Sequence, residues 1–164
     1  MNQADFLRLI EEHKRILYKI ANSYCRNSGD REDLIQEMIF QLWRSGERFD
    51  DHHKFSTWMY RIALNVAISY YRQQRRSGLR ITFGGDLHLM ELADGPAEPD
   101  TEEKIELLQQ FISEQNELDK ALMILYLEER PYREIAEILG ITETNVATKL
   151  SRIKGRLKQH FAKL

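Results

Sequence analysis

Apolar residues recur at spacings of three and four along most of the chain, and the alternation expected of half-buried strands is nearly absent. In the amino-terminal part the pattern predicts helices over about 3–24, 30–44 and 55–76. Asp30 is the expected N-cap of the second, with Leu34, Ile35, Met38 and Leu42 covering a core. In the third, Phe55, Met59, Ile62 and Val66 share the side expected to pack inward. Near the other end, Pro131 suits a first helical turn, and Ile135, Ala136, Ile138 and Leu139 supply an apolar face. Gly140 offers the positive φ of a sharp stop, and Thr142 follows as the expected N-cap with Glu143 in the first turn. Val146, Leu150, Ile153 and Leu157 then return at intervals of four, three and four. Two short helices hinged at a glycine form the pattern of a helix-turn-helix, a shape that places one helix in a DNA groove.

Glycine and proline concentrate between the two halves, in residues 77–100, where 79–83 is the only strand-like piece. The expectation is an all-α chain of two small helical domains, 1–76 and 101–164, joined by a linker at 77–100. About two dozen residues reach roughly 75 Å when stretched but average roughly 27 Å as a coil, so the lobes can separate widely.

Composition adds limits. With 42% hydrophobic and 30% charged residues in 164, the chain reads as a globular protein with modest cores. Its longest apolar run, Ala121 to Leu127, is far too short to span a membrane, and a cytosolic location is expected. The single cysteine, Cys25, excludes an internal disulfide and any multi-cysteine zinc site. The five histidines share no ligand spacing, so neither metal nor cofactor is expected. Without a metal cluster or phosphate loop, an enzyme is not expected either.

The net charge of −2 conceals strong segregation. Arg61, Arg72, Arg75, Arg76 and Arg80 stand together without an acid, whereas 94–119 is an anionic belt relieved only by Lys104. The stretch from Arg130 onward is basic again, and two cationic blocks of this kind suit nucleic acid.

Three surfaces then carry candidate chemistry. On the second helix, Asp33, Gln36, Glu37 and Phe40 form an i, i+3, i+4, i+7 row suited to a basic protein partner. On the third, Trp58, Arg61, Asn65 and Arg72 make a stripe of aromatic, amide and guanidinium groups, with Tyr60 and Tyr71 nearby and Phe49 in the preceding loop. Aromatic faces stack on unpaired bases, guanidinium groups neutralise phosphate, and an asparagine can read a base edge. On the last helix, Ala147, Thr148, Ser151 and Arg152 face away from the core where this motif meets base edges. Lys149 and Arg156 flank them in positions suited to phosphate.

Taken in order, Asp33-Leu-Ile-Gln-Glu37, Phe55-Ser-Thr-Trp-Met-Tyr-Arg-Ile-Ala-Leu-Asn65 and Arg133-Glu-Ile-Ala-Glu-Ile-Leu-Gly-Ile141 resemble the extracytoplasmic-function (ECF) sigma factors of bacteria. The resemblance covers essentially the whole chain. It implies a non-catalytic, dissociable subunit that binds core RNA polymerase, directs it to promoters and helps to melt them. The row Asp33, Gln36, Glu37 and Phe40 would dock on the polymerase. Phe49 and Asn65, with Trp58, Arg61 and Arg72, would hold the melted non-template strand and a base flipped from it. Ala147, Thr148, Lys149, Ser151, Arg152 and Arg156 would meet the duplex element near −35, and the linker would thread the RNA-exit path. The family often has an inhibitory anti-sigma factor as a further partner. One departure is Asn145-Val146-Ala147, where the family commonly has Thr-Val-Lys or Thr-Val-Arg; the missing cation shifts base reading toward Thr148, Ser151 and Arg152. A stand-alone helix-turn-helix regulator, whose first lobe only dimerises or binds an effector, is the alternative that the residues leave open.

Overall fold

An Asn-x-x-Asp sequence opens three of the helices. Asn2, Asn27 and Asn116 each accept a hydrogen bond through the side-chain oxygen from the backbone N–H three residues on, at Asp5, Asp30 and Asp119 (2.7–2.8 Å). An asparagine satisfies one of the orphan donors of the first turn, and the aspartate adds a favourable charge at the positive end of the helix dipole. Asp30 is therefore a first-turn residue and not the expected cap. Asn27 takes that place because its carbonyl oxygen reaches the Asp30 N–H.

In the computed structural model, residues 2–50, 52, 54–76 and 99–162 are described. They form helices α1 (Gln3–Tyr24), α2 (Ser28–Ser45), α3 (Phe55–Arg76), α4 (Pro99–Ser113), α5 (Glu117–Leu127), α6 (Tyr132–Leu139) and α7 (Glu143–Ala162), with a 3-10 turn at Gly46–Arg48 after α2. The all-α expectation holds for the described residues. The strand-like piece at 79–83 and nearly all of the expected linker lie outside them. Within that expected linker, Pro99 and Asp100 are already helical, since a proline is well tolerated in a first turn.

α1, α2 and α3 pack as a three-helix lobe, with Leu17, Ile20, Leu34, Met38, Leu42, Met59 and Leu64 at its centre. α4 to α7 form the second lobe around Ile112, Leu122, Leu125, Ile135, Leu150 and Ile153. The buried residues of both lobes belong to one continuous cluster, because α3 packs on α5 and α6 as well as on its own neighbours. This second covering alters its inward face. Tyr60, Ala63, Leu64 and Ala67 are buried, whereas Ile62 and Val66, expected in the core, are half-buried at groove walls.

Candidate nucleic-acid and partner interfaces

The outer side of α2 presents Asp33, Gln36, Glu37 and Phe40 to solvent, with Phe40 54% exposed. Exposing a phenylalanine beside carboxylates leaves apolar area that a partner can cover. Trp43, one turn further, is also exposed and packs edge-on against Phe6 at 4.9 Å. Asp33, Glu37 and Gln41 form one wall of a groove of about 660 Å³, and Asn65, Ser69 and Gln73 of α3 form the other. Asn65 thus lies beside the acidic row.

Phe49, Phe55 and Trp58 form a triangle with ring centroids 5.2–5.6 Å apart, and His13 approaches Phe55 at 5.1 Å. Phe49 and Trp58 keep part of their faces open. A second groove, about 420 Å³, is lined by Trp58, Arg61, Arg48 and Asp50 and is closed on one side by Glu137 and Ile138 of α6. Ser45 and Ile62 line both grooves and form the ridge between them. The structure divides the expected stripe accordingly: Phe49, Trp58 and Arg61 are together, Asn65 lies over the ridge, and Arg72 turns to the second lobe. Tyr60 is buried beneath the Arg130 guanidinium, 5.0 Å from its ring, and burial pushes its hydroxyl well above the ordinary range. A ring so covered offers no face to a base.

Arg72 donates from Nε to Glu117 Oε1 at 2.9 Å, and Arg75 lies 3.5 Å from the other carboxylate oxygen. Burial raises the Glu117 pKa, but the bond from Arg72, a backbone hydrogen bond and the charges of both arginines outweigh it, so the carboxyl is held below its ordinary value. The Tyr24 hydroxyl donates to the Glu117 carbonyl (2.7 Å), and Lys120 Nζ donates to the Ser23 carbonyl (3.0 Å), close to the rings of Tyr24 and Tyr71. Lys19 and Glu128 pair across the same seam. Sequence reading missed these roles because Glu117 looked like one more member of an acidic belt. Lys120, a cation directly before the apolar run, was the available signal.

In α6 and α7 the expected motif is present. Gly140 has φ 69°, and the Ile141 N–H returns to the Ala136 carbonyl at 3.1 Å. Thr142 Oγ1 accepts from the Asn145 N–H at 3.0 Å, and Val146, Leu150 and Ile153 are buried. Ala147, Thr148, Ser151 and Arg152 are exposed together on the outer face, with Lys149 half-buried beside them. Arg156 is engaged internally: Nη2 donates to Asp119 Oδ2 (3.0 Å) and Gln115 Oε1 (2.9 Å), tying α7 to α5. Among the described residues no group of His, Cys, Asp or Glu is arranged to hold a metal ion, and no helix is long and apolar enough to cross a membrane.

An exposed acidic row, an aromatic and cationic groove and a helix-turn-helix, each on its own helical surface, fit a two-lobed helical nucleic-acid-binding protein. Residues 9–77 match the family Sigma-70 region 2, and residues 105–157 match Sigma-70, region 4. The chain is 28% identical to the ECF RNA polymerase sigma factor SigW of Bacillus subtilis over 99% of this chain and 92% of SigW. It is 27% identical to the RNA polymerase sigma factor CnrH of Cupriavidus metallidurans, over 95% and 86% of the two chains. Its fold is similar to CnrH solved in complex with the cytosolic domain of CnrY (TM-score 0.68, 19% identity, 99% and 90% covered). It is likewise similar to the Bartonella quintana sigma factor RpoE solved with the anti-sigma factor NepR (TM-score 0.69, 18% identity, 96% and 97% covered). The chain belongs to the sigma-70 family, and within it to the ECF sigma factors.

Proposed function

We infer that the chain binds core RNA polymerase, directs it to specific promoters and promotes their melting. The observation that carries this is the presence, in one chain and in order, of both a sigma region 2 and a sigma region 4. A regulator that merely dimerises through its first lobe has no need of region 2, so that alternative is not favoured. Residues 1–76 serve polymerase binding and melting, 101–164 serve the −35 element, and 77–100 connect them. Asp33, Gln36, Glu37 and Phe40 meet the polymerase, a role supported by their exposure in one row. Phe49, Trp58 and Arg61 line the entrance for an unpaired strand, with Asn65 across the ridge and Arg72 available once the lobes part. Thr148, Ser151 and Arg152, with Ala147 and Lys149 beside them, read the duplex. Nucleotide addition belongs to the polymerase, and the chain works where polymerase does, in the cytoplasm. The two solved neighbours are in complex with the cytosolic domain of CnrY and with the anti-sigma factor NepR, and an anti-sigma factor is proposed as a partner of this chain.

Run-off transcription with purified bacterial core polymerase on a random promoter library tests the reading. The expected result is a set of transcripts that start downstream of a shared two-part sequence and require the chain. Transcription identical with and without it would reject the function.

A further inference from the structure

Four ion pairs across the seam between the lobes share one polarity, although the second lobe also brings Lys120 and Arg130 to it. The first lobe contributes Lys19, Lys54, Arg72 and Arg75, and the second meets them with Glu128, Glu134 and Glu117. Glu137 stands at the wall of the groove that holds Trp58 and Arg61. The Glu117 side chain is only 10% exposed and engages both arginines at the end of α3. A carboxylate offers a guanidinium the same charge and the same paired acceptors as a phosphate does. The acidic residues that meet the cationic side of α3 therefore come from α5 and α6.

We propose that α5 and α6 act as an internal substitute for nucleic acid, with Glu117 occupying the position of a backbone phosphate on Arg72 and Arg75, so that the closed chain excludes single-stranded DNA. The proposal rests on the melting role assigned to α3 above. Closed and DNA-bound forms compete for one surface. Arg72 and Arg75 turn part of their charge to Glu117, which weakens their hold on a phosphate, and α6 narrows the approach to Trp58 and Arg61. Several of the contacts between the lobes are ion pairs with a partly exposed member, which water and salt compete for, so the seam is one that a stronger partner can open. A ligand that needs the open form binds more weakly in proportion to the fraction of molecules that are open.

Binding of a fluorescein-labelled single-stranded oligonucleotide to the full chain tests this, with small-angle scattering on the same samples. Glu117→Gln keeps the shape of the side chain and removes its charge. Glu114→Gln, at an exposed position at the end of α4, removes the same charge from the same lobe without touching the seam. Glu117→Gln is expected to bind the oligonucleotide about tenfold more tightly than Glu114→Gln at equal salt, with a larger radius of gyration. Equal affinities overturn the proposal, whether or not the radius changes. Arg75→Glu, exposed and placed to repel Glu117, is a second variant that leaves both cores intact, and its radius is expected to rise; an unchanged radius also overturns the proposal. Wild-type run-off transcription reads the function separately: transcripts with equal oligonucleotide affinities reject the internal substitute alone, and a gain for Glu117→Gln without transcripts rejects the function alone.

Discussion

Lys120 brings its ammonium group into the seam with 1% of the residue exposed, facing the Ser23 carbonyl, the rings of Tyr24 and Tyr71, and Cys25. Burial lowers its pKa from 10.5 to about 7. Between those values the unfolded chain keeps a proton that the folded chain has released, so stability rises with pH, by at most about 1.4 kcal/mol per unit. Burial raises Cys25 from 9.0 to about 11, so above pH 9 the folded chain keeps a thiol proton that the unfolded chain has lost, which offsets the Lys120 trend. The melting temperature is expected to climb from pH 7 to pH 9 and Lys120→Met to flatten that climb; a flat wild-type profile in calorimetry would contradict the assignment. The two arginines of α7 invite a similar separation. Arg152 is exposed and Arg156 is tied to Asp119. Arg152→Ala should cost about 1–3 kcal/mol of promoter binding at particular base pairs while leaving the melting temperature unchanged. Arg156→Ala should lower the melting temperature, as Asp119→Asn should, and weaken all promoters alike. Competition binding on variant promoters and thermal denaturation read the two effects.

Among the elements, the turn between α6 and α7 depends on its glycine, whereas α7 itself carries one that it does not need. Gly140 has a left-handed φ of 69°, so alanine there is strained even though space is open around it. Gly155 lies inside α7 with nothing within 4 Å of an added Cβ. Gly140→Ala should therefore destabilise by about 1 kcal/mol and Gly155→Ala should stabilise by about 0.5–1 kcal/mol. Denaturant titration giving the same sign for both would show that the turn is not held as described. α3 was placed to the residue, and the capped α7 with its buried Val146, Leu150 and Ile153 followed from spacing, because local geometry and one apolar face suffice to specify them. The cap of α2 was misplaced onto Asp30 because asparagine and aspartate serve equally well at that position, and only the backbone settles which one is used.

For the whole molecule, the acidic row of α2 and Asn65 share a groove and yet are assigned to different events. Glu37→Lys should reduce capture of core polymerase, since it places a cation against a basic partner. Asn65→Ala should leave capture largely intact and impair promoter opening, since its partner strand exists only after melting. Pull-down with core polymerase and permanganate footprinting separate the two; equal loss of capture in both would merge Asn65 with the docking row. Two promoter elements about 70 Å apart, roughly two turns of duplex, also require the lobes to be far apart on DNA. Under the proposed function, the closed seam is therefore a form that promoter binding opens.

From its order alone the chain determined that it is helical, where most of its helices fall, that α6 and α7 form a helix-turn-helix and that α2 carries an acidic row. Each of these rests on periodicity, caps or exposed charge, which are local properties. The structure decided which charges are spent on one another. Arg72 and Arg156 share the cationic, helix-borne character of Arg61 and Arg152, and only the arrival of Glu117 and Asp119, distant in sequence, engages the first pair and leaves the second pair in solvent. Tyr60 and Ile62 changed places with respect to the core for the same reason, because a helix packed on two sides buries a face that no single-sided periodicity predicts.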